Sequence, residues 1–232
     1  MRRPRRRPDP ALRSPLPIGP IPPPRRLSPA RWAGLSVGLL GGSFNPAHDG
    51  HRHVAHLALR RLGLDAVWLL VSPQNPLKRT ADMAPLGERL AGARALSPDR
   101  RVVATAIESD LGTRYTADTL DALARSFPRT RFVWLMGADN LGQIPRWQRW
   151  TDIFRRTPVA VFARHPYSLG SLASKAAGRF RPARIGGSGA RRLRRASPPA
   201  WTFLAIPLHP ASATEIRRRR ARVADAMTAA RT

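Results

Sequence analysis

The chain has 232 residues, room for one large or two small domains, and 41 Lys and Arg against 14 Asp and Glu give a net charge of +27. A hydrophobic share of 42% excludes a fully disordered chain, and the absence of cysteine excludes a disulfide scaffold, a Cys-ligated zinc site and a thiol nucleophile. No stretch reaches about 18 apolar residues without charge, so no transmembrane helix is expected.

The charge is concentrated at the ends. Residues 1–33 carry nine Arg against one acid, and residues 179–232 carry 13 basic residues against two acidic ones. Residues 34–178 hold 19 basic and 11 acidic residues, an ordinary balance. Ten prolines in residues 1–33 block helix and sheet pairing, so this segment reads as a disordered Arg/Pro-rich extension and order is expected to begin near Leu35.

From there strands and helices alternate. Residues 35–41 are a short apolar run ending in glycines, as in a buried strand. Val54, Leu57, Ala58 and Leu62 follow at helical spacing. Residues 66–71 (AVWLLV) read as a second buried strand, and residues 72–78 (SPQNPLK) as a Pro-rich loop. A helix over 86–96, a strand over 101–105, a helix over 116–126 and a strand over 131–136 come next. A fifth strand falls at 157–163 and a sixth at 201–206. Residues 168–199, rich in Gly, Ser, Ala and Arg, read as a flexible basic insertion. A last helix is expected from Ser212 onward. Strand–helix alternation of this kind predicts an α/β fold, a Rossmann-like doubly wound parallel sheet forming one domain over 34–232.

The most informative run is GGSFNPAHDGH, residues 41–51. It follows the first strand and opens a helix, where exposed backbone N–H groups and a positive helix end suit phosphate. Gly41 and Gly42 let a ligand approach the backbone, with Ser43 and Phe44 next in the loop. His48 and His51 stand three apart at the helix mouth, where two imidazoles can donate to a phosphoryl group as its charge builds.

This run resembles the HxGH motif of the nucleotidylyltransferase superfamily, and its spelling closely resembles that of bacterial nicotinate-nucleotide adenylyltransferases. SATEIR (residues 212–217) looks like the family's second ATP motif, which implies phosphate contacts from Ser212, Thr214 and Arg217. TRYTADTL (residues 113–120) resembles the family's nicotinate-side segment and implies a carboxylate contact near Tyr115 and Thr116. GADNL followed by Trp147 is similar to the family's GxDxLxxxxxW, which implies Asp139 on the nucleotide and Trp147 stacked on the pyridine ring. Trp150 is read instead as packing. Loops resembling the family's substrate-side loops imply contacts from Asn75, Lys78 and Arg164, although His165 and Pro166 replace the Pro-Gly of the family's RPGY.

The resemblance covers roughly residues 35–228 and implies adenylyl transfer from ATP to nicotinate mononucleotide in NAD biosynthesis. Mg²⁺ is implied as the companion of ATP, and no residue is assigned as a metal ligand. His48 and His51 are the implied catalytic pair. A sibling transferase acting on nicotinamide mononucleotide or phosphopantetheine is the alternative. An Arg-rich RNA-binding protein is the reading from another class. Aromatic residues are sparse in the basic ends, which argues against nucleic acid as the main partner. A cytoplasmic enzyme without membrane attachment is expected, and homo-oligomer formation stays open.

Overall fold

The structure is a computed structural model that describes residues 27–73, 83–163 and 170–207. Seven strands form one sheet: β1 (Ser36–Gly42), β2 (Ala66–Val71), β3 (Val102–Thr105), β4 (Arg131–Gly137), β5 (Val159–Phe162), β6 (Arg184–Ile185) and β7 (Trp201–Leu204). Their order is β3-β2-β1-β4-β5-β7-β6, and every neighbouring pair is parallel. The chain leaves β1 in one direction for β2 and β3 and later crosses to β4 on its other side. The strand order therefore reverses between β1 and β4, and a crevice opens beyond their carboxyl ends.

Both faces of the sheet are covered, which is why the strands are apolar without a polar face. Val37, Leu39, Trp68, Leu70, Trp134, Met136, Val159 and Val161 join one core cluster. Leu40, Val67, Leu69, Val133, Leu135, Ala160 and Phe162 join the other. The period of two assigns successive residues of each strand to opposite layers. Helices α2 (Asp49–Leu62) and α3 (Leu86–Ala95) cover the second cluster, with Leu57, Leu62 and Ala93 buried. Four of the helices cover the first: α5 (Thr116–Ser126), α6 (Ala138–Gln143), α7 (Trp150–Arg156) and α8 (Lys175–Arg179). Helix α2 ends on Gly63, whose φ of 64° lies in the left-handed region that glycine adopts without strain.

Two expectations from the sequence need correction. The boundary at residue 33/34 falls too late. Helix α1 (Pro29–Trp32) precedes it, and Leu27 and Trp32 are buried. The Trp32 indole meets Trp68 edge-on at 5.0 Å, so the end of the Pro-rich segment closes one core. The expected flexible insertion at 168–199 is packed structure over its described part, residues 170–199. It contains a short turn at Gly170–Ala173, α8, β6 and a nine-residue 3-10 helix at Gly187–Arg195. A 3-10 helix repeats every three residues, and Ala190 and Leu193 are its buried positions. Arg191 and Arg192 between them are exposed, and Arg194, just after Leu193, donates to the Gly63 carbonyl at 2.6 Å.

Small elements were also missing from the sequence reading: α4 (Ile107–Asp110), α6, a 3-10 turn at Ile144–Arg146, and α7. Each is seven residues or shorter, too brief to show a helical period. The final helix expected from Ser212 lies outside the described residues. Among the described residues no helix is long and apolar enough to cross a membrane.

Candidate active site

The loop after β1 and the start of α2 form the candidate site. His48 is the N-cap of α2, with extended backbone (φ −152°, ψ 165°). Its Nδ1 accepts the Gly50 N–H at 3.1 Å, and the His48 N–H is donated to His51 Nδ1 at 3.3 Å. The two histidines thus form a capping box in which imidazoles replace the usual hydroxyl and carboxylate. Each Nδ1 is occupied as an acceptor, so the neutral ring carries its proton on Nε2. A neutral imidazole bonded in this way presents Nε2–H as a donor. The rings lie 3.8 Å apart between centroids, and Phe44 supports His51 from 4.5 Å.

Phe44 is only 1% exposed and its φ is 48°, an uncommon conformation for a residue with a side chain. Its ring is a buttress for His51, and its backbone lines the loop. Gly41 has a reason to be glycine beyond the ligand approach expected from sequence. A Cβ there would come within 2.5 Å of Trp134 Cη2 on the neighbouring strand. The lack of a side chain at Gly41 serves the packing of β1 against β4.

Arg89 was not singled out from sequence. It lies in α3, is 4% exposed, and donates to four carbonyls: Ala84 (2.8 Å), Ser43 (2.8 Å), Ser72 (2.7 Å) and Pro73 (3.0 Å). Burial lowers its pKa from the ordinary value, yet an arginine stays charged in a protein. One guanidinium therefore ties the loop after β1 to both ends of the connection from β2 to α3. Asn45 adds a second tie by accepting the Ala84 N–H at 3.3 Å.

Asp139 stands in the first turn of α6, just beyond β4, on the other side of the crevice from the histidine loop. Tyr115 is the N-cap of α5 and Thr116 its first residue. Trp147 follows the Ile144–Arg146 turn, half-buried against the core. Trp150 contacts Phe154 and Phe180 edge-on, in keeping with a packing residue. Gly41 and Gly42 end β1, Ser43 and Phe44 lie in the loop after it, and His48 and His51 stand at the start of α2. Asn75, Lys78, Arg164, Ser212, Thr214 and Arg217 lie outside the described residues.

Glu108 in α4 is a second group missed from sequence. It is buried, and Ser72 and Thr119 hydrogen-bond its carboxylate. Burial dominates and raises its pKa to about 7. In an unfolded chain the same group ionises near pH 4 to 5, at about 4.3. Between these values the folded state holds the extra proton, so stability falls as pH rises through this window and levels off above it. Glu108→Gln cannot ionise. It is expected to melt higher than the parent at about pH 8 and no higher at about pH 5. Equal gains at both pH values in thermal melts would exclude Glu108 as the titrating group.

A doubly wound parallel sheet, with two imidazoles capping the helix that starts at its strand-order reversal, is a Rossmann-like architecture with the layout of a nucleotide-binding domain. Residues 39–219 match the cytidylyltransferase-like family. The chain is 53% identical over 186 residues to a protein of Parvibaculum lavamentivorans named "Probable nicotinate-nucleotide adenylyltransferase", covering 80% of this chain and 92% of that one. A protein of the same name from Roseobacter denitrificans is 50% identical over 82% of this chain and 94% of its own. The fold is similar to that of Plasmodium falciparum nicotinic acid mononucleotide adenylyltransferase in complex with NaAD. That likeness has a TM-score of 0.60 at 15% identity and covers 78% of this chain and 82% of the other. The chain belongs to the nicotinate-nucleotide adenylyltransferase family.

Proposed function

We propose that this chain transfers the adenylyl group of ATP to nicotinate mononucleotide, forming nicotinate adenine dinucleotide and pyrophosphate. One observation carries the reading. Two imidazoles, fixed through Nδ1 by backbone hydrogen bonds, stand at the start of α2 in a chain about half identical to proteins named for this reaction.

The chemistry follows from charge. A phosphate oxygen of the mononucleotide attacks the α-phosphorus of ATP in line, and the bond from that phosphorus to the bridging β-phosphate oxygen breaks. The attacking oxygen is already ionised near neutrality, so no general base is needed. Negative charge shifts onto the α-phosphoryl oxygens and the departing pyrophosphate. ATP enters as its Mg²⁺ complex, and the metal offsets part of that charge. His48 and His51 donate to the phosphoryl oxygens, and the α2 N-terminus adds its N–H groups. Ser212, Thr214 and Arg217 on the β- and γ-phosphates, and Asn75, Lys78 and Arg164 on the mononucleotide, complete the proposed contacts. Asp139 serves the nucleotide across the crevice. Tyr115, Thr116 and Trp147 serve the pyridine ring and its carboxylate. The setting is the cytoplasm.

The test is pyrophosphate release from Mg·ATP with nicotinate mononucleotide, nicotinamide mononucleotide and phosphopantetheine side by side. Fastest release with the first is the expected result. A preference for either of the others would move the chain to a sibling activity, and no release with any acceptor would refute the transferase reading.

A further inference from the structure

Glu108 is a buried acid that the proposed transfer leaves without a role, and it lies close to the end of β1. It stands three residues beyond Thr105, the last residue of β3, so α4 places it at the carboxyl edge of the sheet. Thr105 is in register with Leu70, and Leu70 with Gly41, so β1 reaches its glycines at the same edge. The hydroxyls of Ser72 and Thr119 bond the Glu108 carboxylate, the latter at 3.4 Å. Ser72 follows β2 directly, and its N–H is donated to the Gly42 carbonyl at 3.0 Å. Two hydrogen bonds therefore join Glu108 to Gly42, with Ser72 contributing its side chain to one and its backbone to the other.

No ion pair includes Glu108 among the described residues. β2 and β3 carry no titratable residue. Arg89 of α3 directs its donors to carbonyls, that of Ser72 among them. Asp118 and Asp121 of α5 are paired with Arg149. Asp110, on the same short helix as Glu108, is exposed. Burial thus governs the carboxyl, which stays neutral in mild acid and ionises at about pH 7. The ionised form matters to a phosphate site. The first N–H groups of α2 attract anions, and a buried carboxylate nearby opposes that attraction with little screening by salt.

We propose that Glu108, acting through Ser72, sets how tightly the site at the end of β1 and the start of α2 holds its phosphates: neutral, it braces Ser72 against Gly42 without charge, and ionised, it puts a negative charge two hydrogen bonds from that glycine. The phosphates are those of ATP and the mononucleotide, so this role rests on the proposed transfer. Glu108 touches neither substrate and is a positioning residue. Its charge acts on affinity, and the phosphoryl step itself is left to the histidines.

The experiment is calorimetric binding of Mg·ATP across pH 6 to 9, with initial-rate kinetics on ATP and nicotinate mononucleotide, for the parent chain, Glu108→Gln and Ser72→Ala. Glutamine keeps the shape of the side chain and cannot ionise. Near pH 6 the parent and Glu108→Gln are expected to agree in Kd and KM within about twofold. Near pH 8.5 the parent is expected to hold both substrates about fivefold more weakly than Glu108→Gln, with kcat within about twofold. Comparing the two chains at each pH cancels the titration of the histidines and of the substrate phosphates. Ser72→Ala removes a bond that favours the ionised carboxyl, so the midpoint of the change in Kd is expected at higher pH than in the parent. A ratio of parent to Glu108→Gln that stays constant with pH would reduce Glu108 to a packing residue. An unmoved midpoint in Ser72→Ala would overturn the route through Ser72, and an effect on kcat alone would overturn the role in affinity. Should Glu108→Gln fail to fold, the midpoint of Ser72→Ala against the parent carries the test. Calorimetry needs no turnover. Absence of pyrophosphate release with every acceptor, while the Kd for Mg·ATP follows this pattern, would overturn the transfer reading and leave the role of Glu108 standing for ATP.

Discussion

His51→Ala is expected to lower kcat by about two to three decades, with KM for ATP changed much less. The size is that of losing one fixed donor to a developing oxyanion, about 2.7–4 kcal/mol of transition-state stabilisation. The structure adds a complication. His51 also accepts the His48 N–H through Nδ1, so alanine removes both a donor and half of the capping box. Two further variants separate these roles. Asparagine can place an acceptor near the Nδ1 position but has nothing at Nε2. Glutamine can place an amide N–H near Nε2 but leaves the cap open. If the donor carries the effect, His51→Asn is as slow as His51→Ala and His51→Gln recovers part of the rate. If the cap carries it, the order reverses. Pyrophosphate release under saturating substrates reads the outcome, and near-normal turnover in His51→Ala and His51→Asn together would remove His51 from the chemistry.

His51 stands out in the sequence through the combination of glycines, two histidines and position after an apolar run. The fold was legible for a related reason. Six consecutive apolar residues at Ala66–Val71, too few for a helix and rich in branched side chains, suit a strand buried on both faces, and the observed β2 has those limits. Helix α5 was likewise read at its observed limits, because its apolar stripe, with Ala117, Leu120 and Leu123 buried, runs its whole length. The misses have physical causes too. Trp32 stands at the end of a segment in which proline forbids regular pairing, and the sequence holds no sign that its indole finds Trp68. The Gly187–Arg195 helix buries only Ala190 and Leu193, and a three-residue period with arginines between looks polar from end to end.

Side chains that position the site were harder to read than those that face it. Arg149 is one of 39 arginines, and the guanidinium donates to Asp118 and Asp121 on α5, about 30 residues away in sequence. Glu108 titrates unusually only because folding buries it, which no local pattern reveals. Arg89 did leave a trace. Leu86, Leu90 and Ala93 form the inward stripe of α3, and Arg89 falls on the same stripe by the three-to-four spacing. A charged residue in an apolar stripe requires a buried partner, and here the partners are backbone carbonyls.

Removing that residue is expected to have the largest effect on stability. Arg89→Ala strips a buried charge and leaves the carbonyls of Ser43, Ser72, Pro73 and Ala84 to find other donors. No carboxylate lies within ion-pair distance of Arg89 among the described residues, so the variant does not strand an opposite charge. The loss is that of several charge-assisted hydrogen bonds to buried acceptors, about 3–5 kcal/mol in all. For a domain of this size that is a fall in Tm of at least about 6 °C. Arg89→Lys retains one donor group but cannot span carbonyls from three segments, so its Tm is expected to fall between those of the parent and alanine. The Ser43 carbonyl is one of the four, so the loop that presents His48 and His51 loosens as well. Well below its Tm, Arg89→Lys should therefore show a kcat about tenfold low, because displacement of a catalytic loop by even about 1 Å is costly. A melt of Arg89→Ala within about 2 °C of the parent would show that the four carbonyls are satisfied without the guanidinium. In that case the β1 loop and the β2–α3 connection are held by their own packing, and Asn45 is the side chain that still joins them.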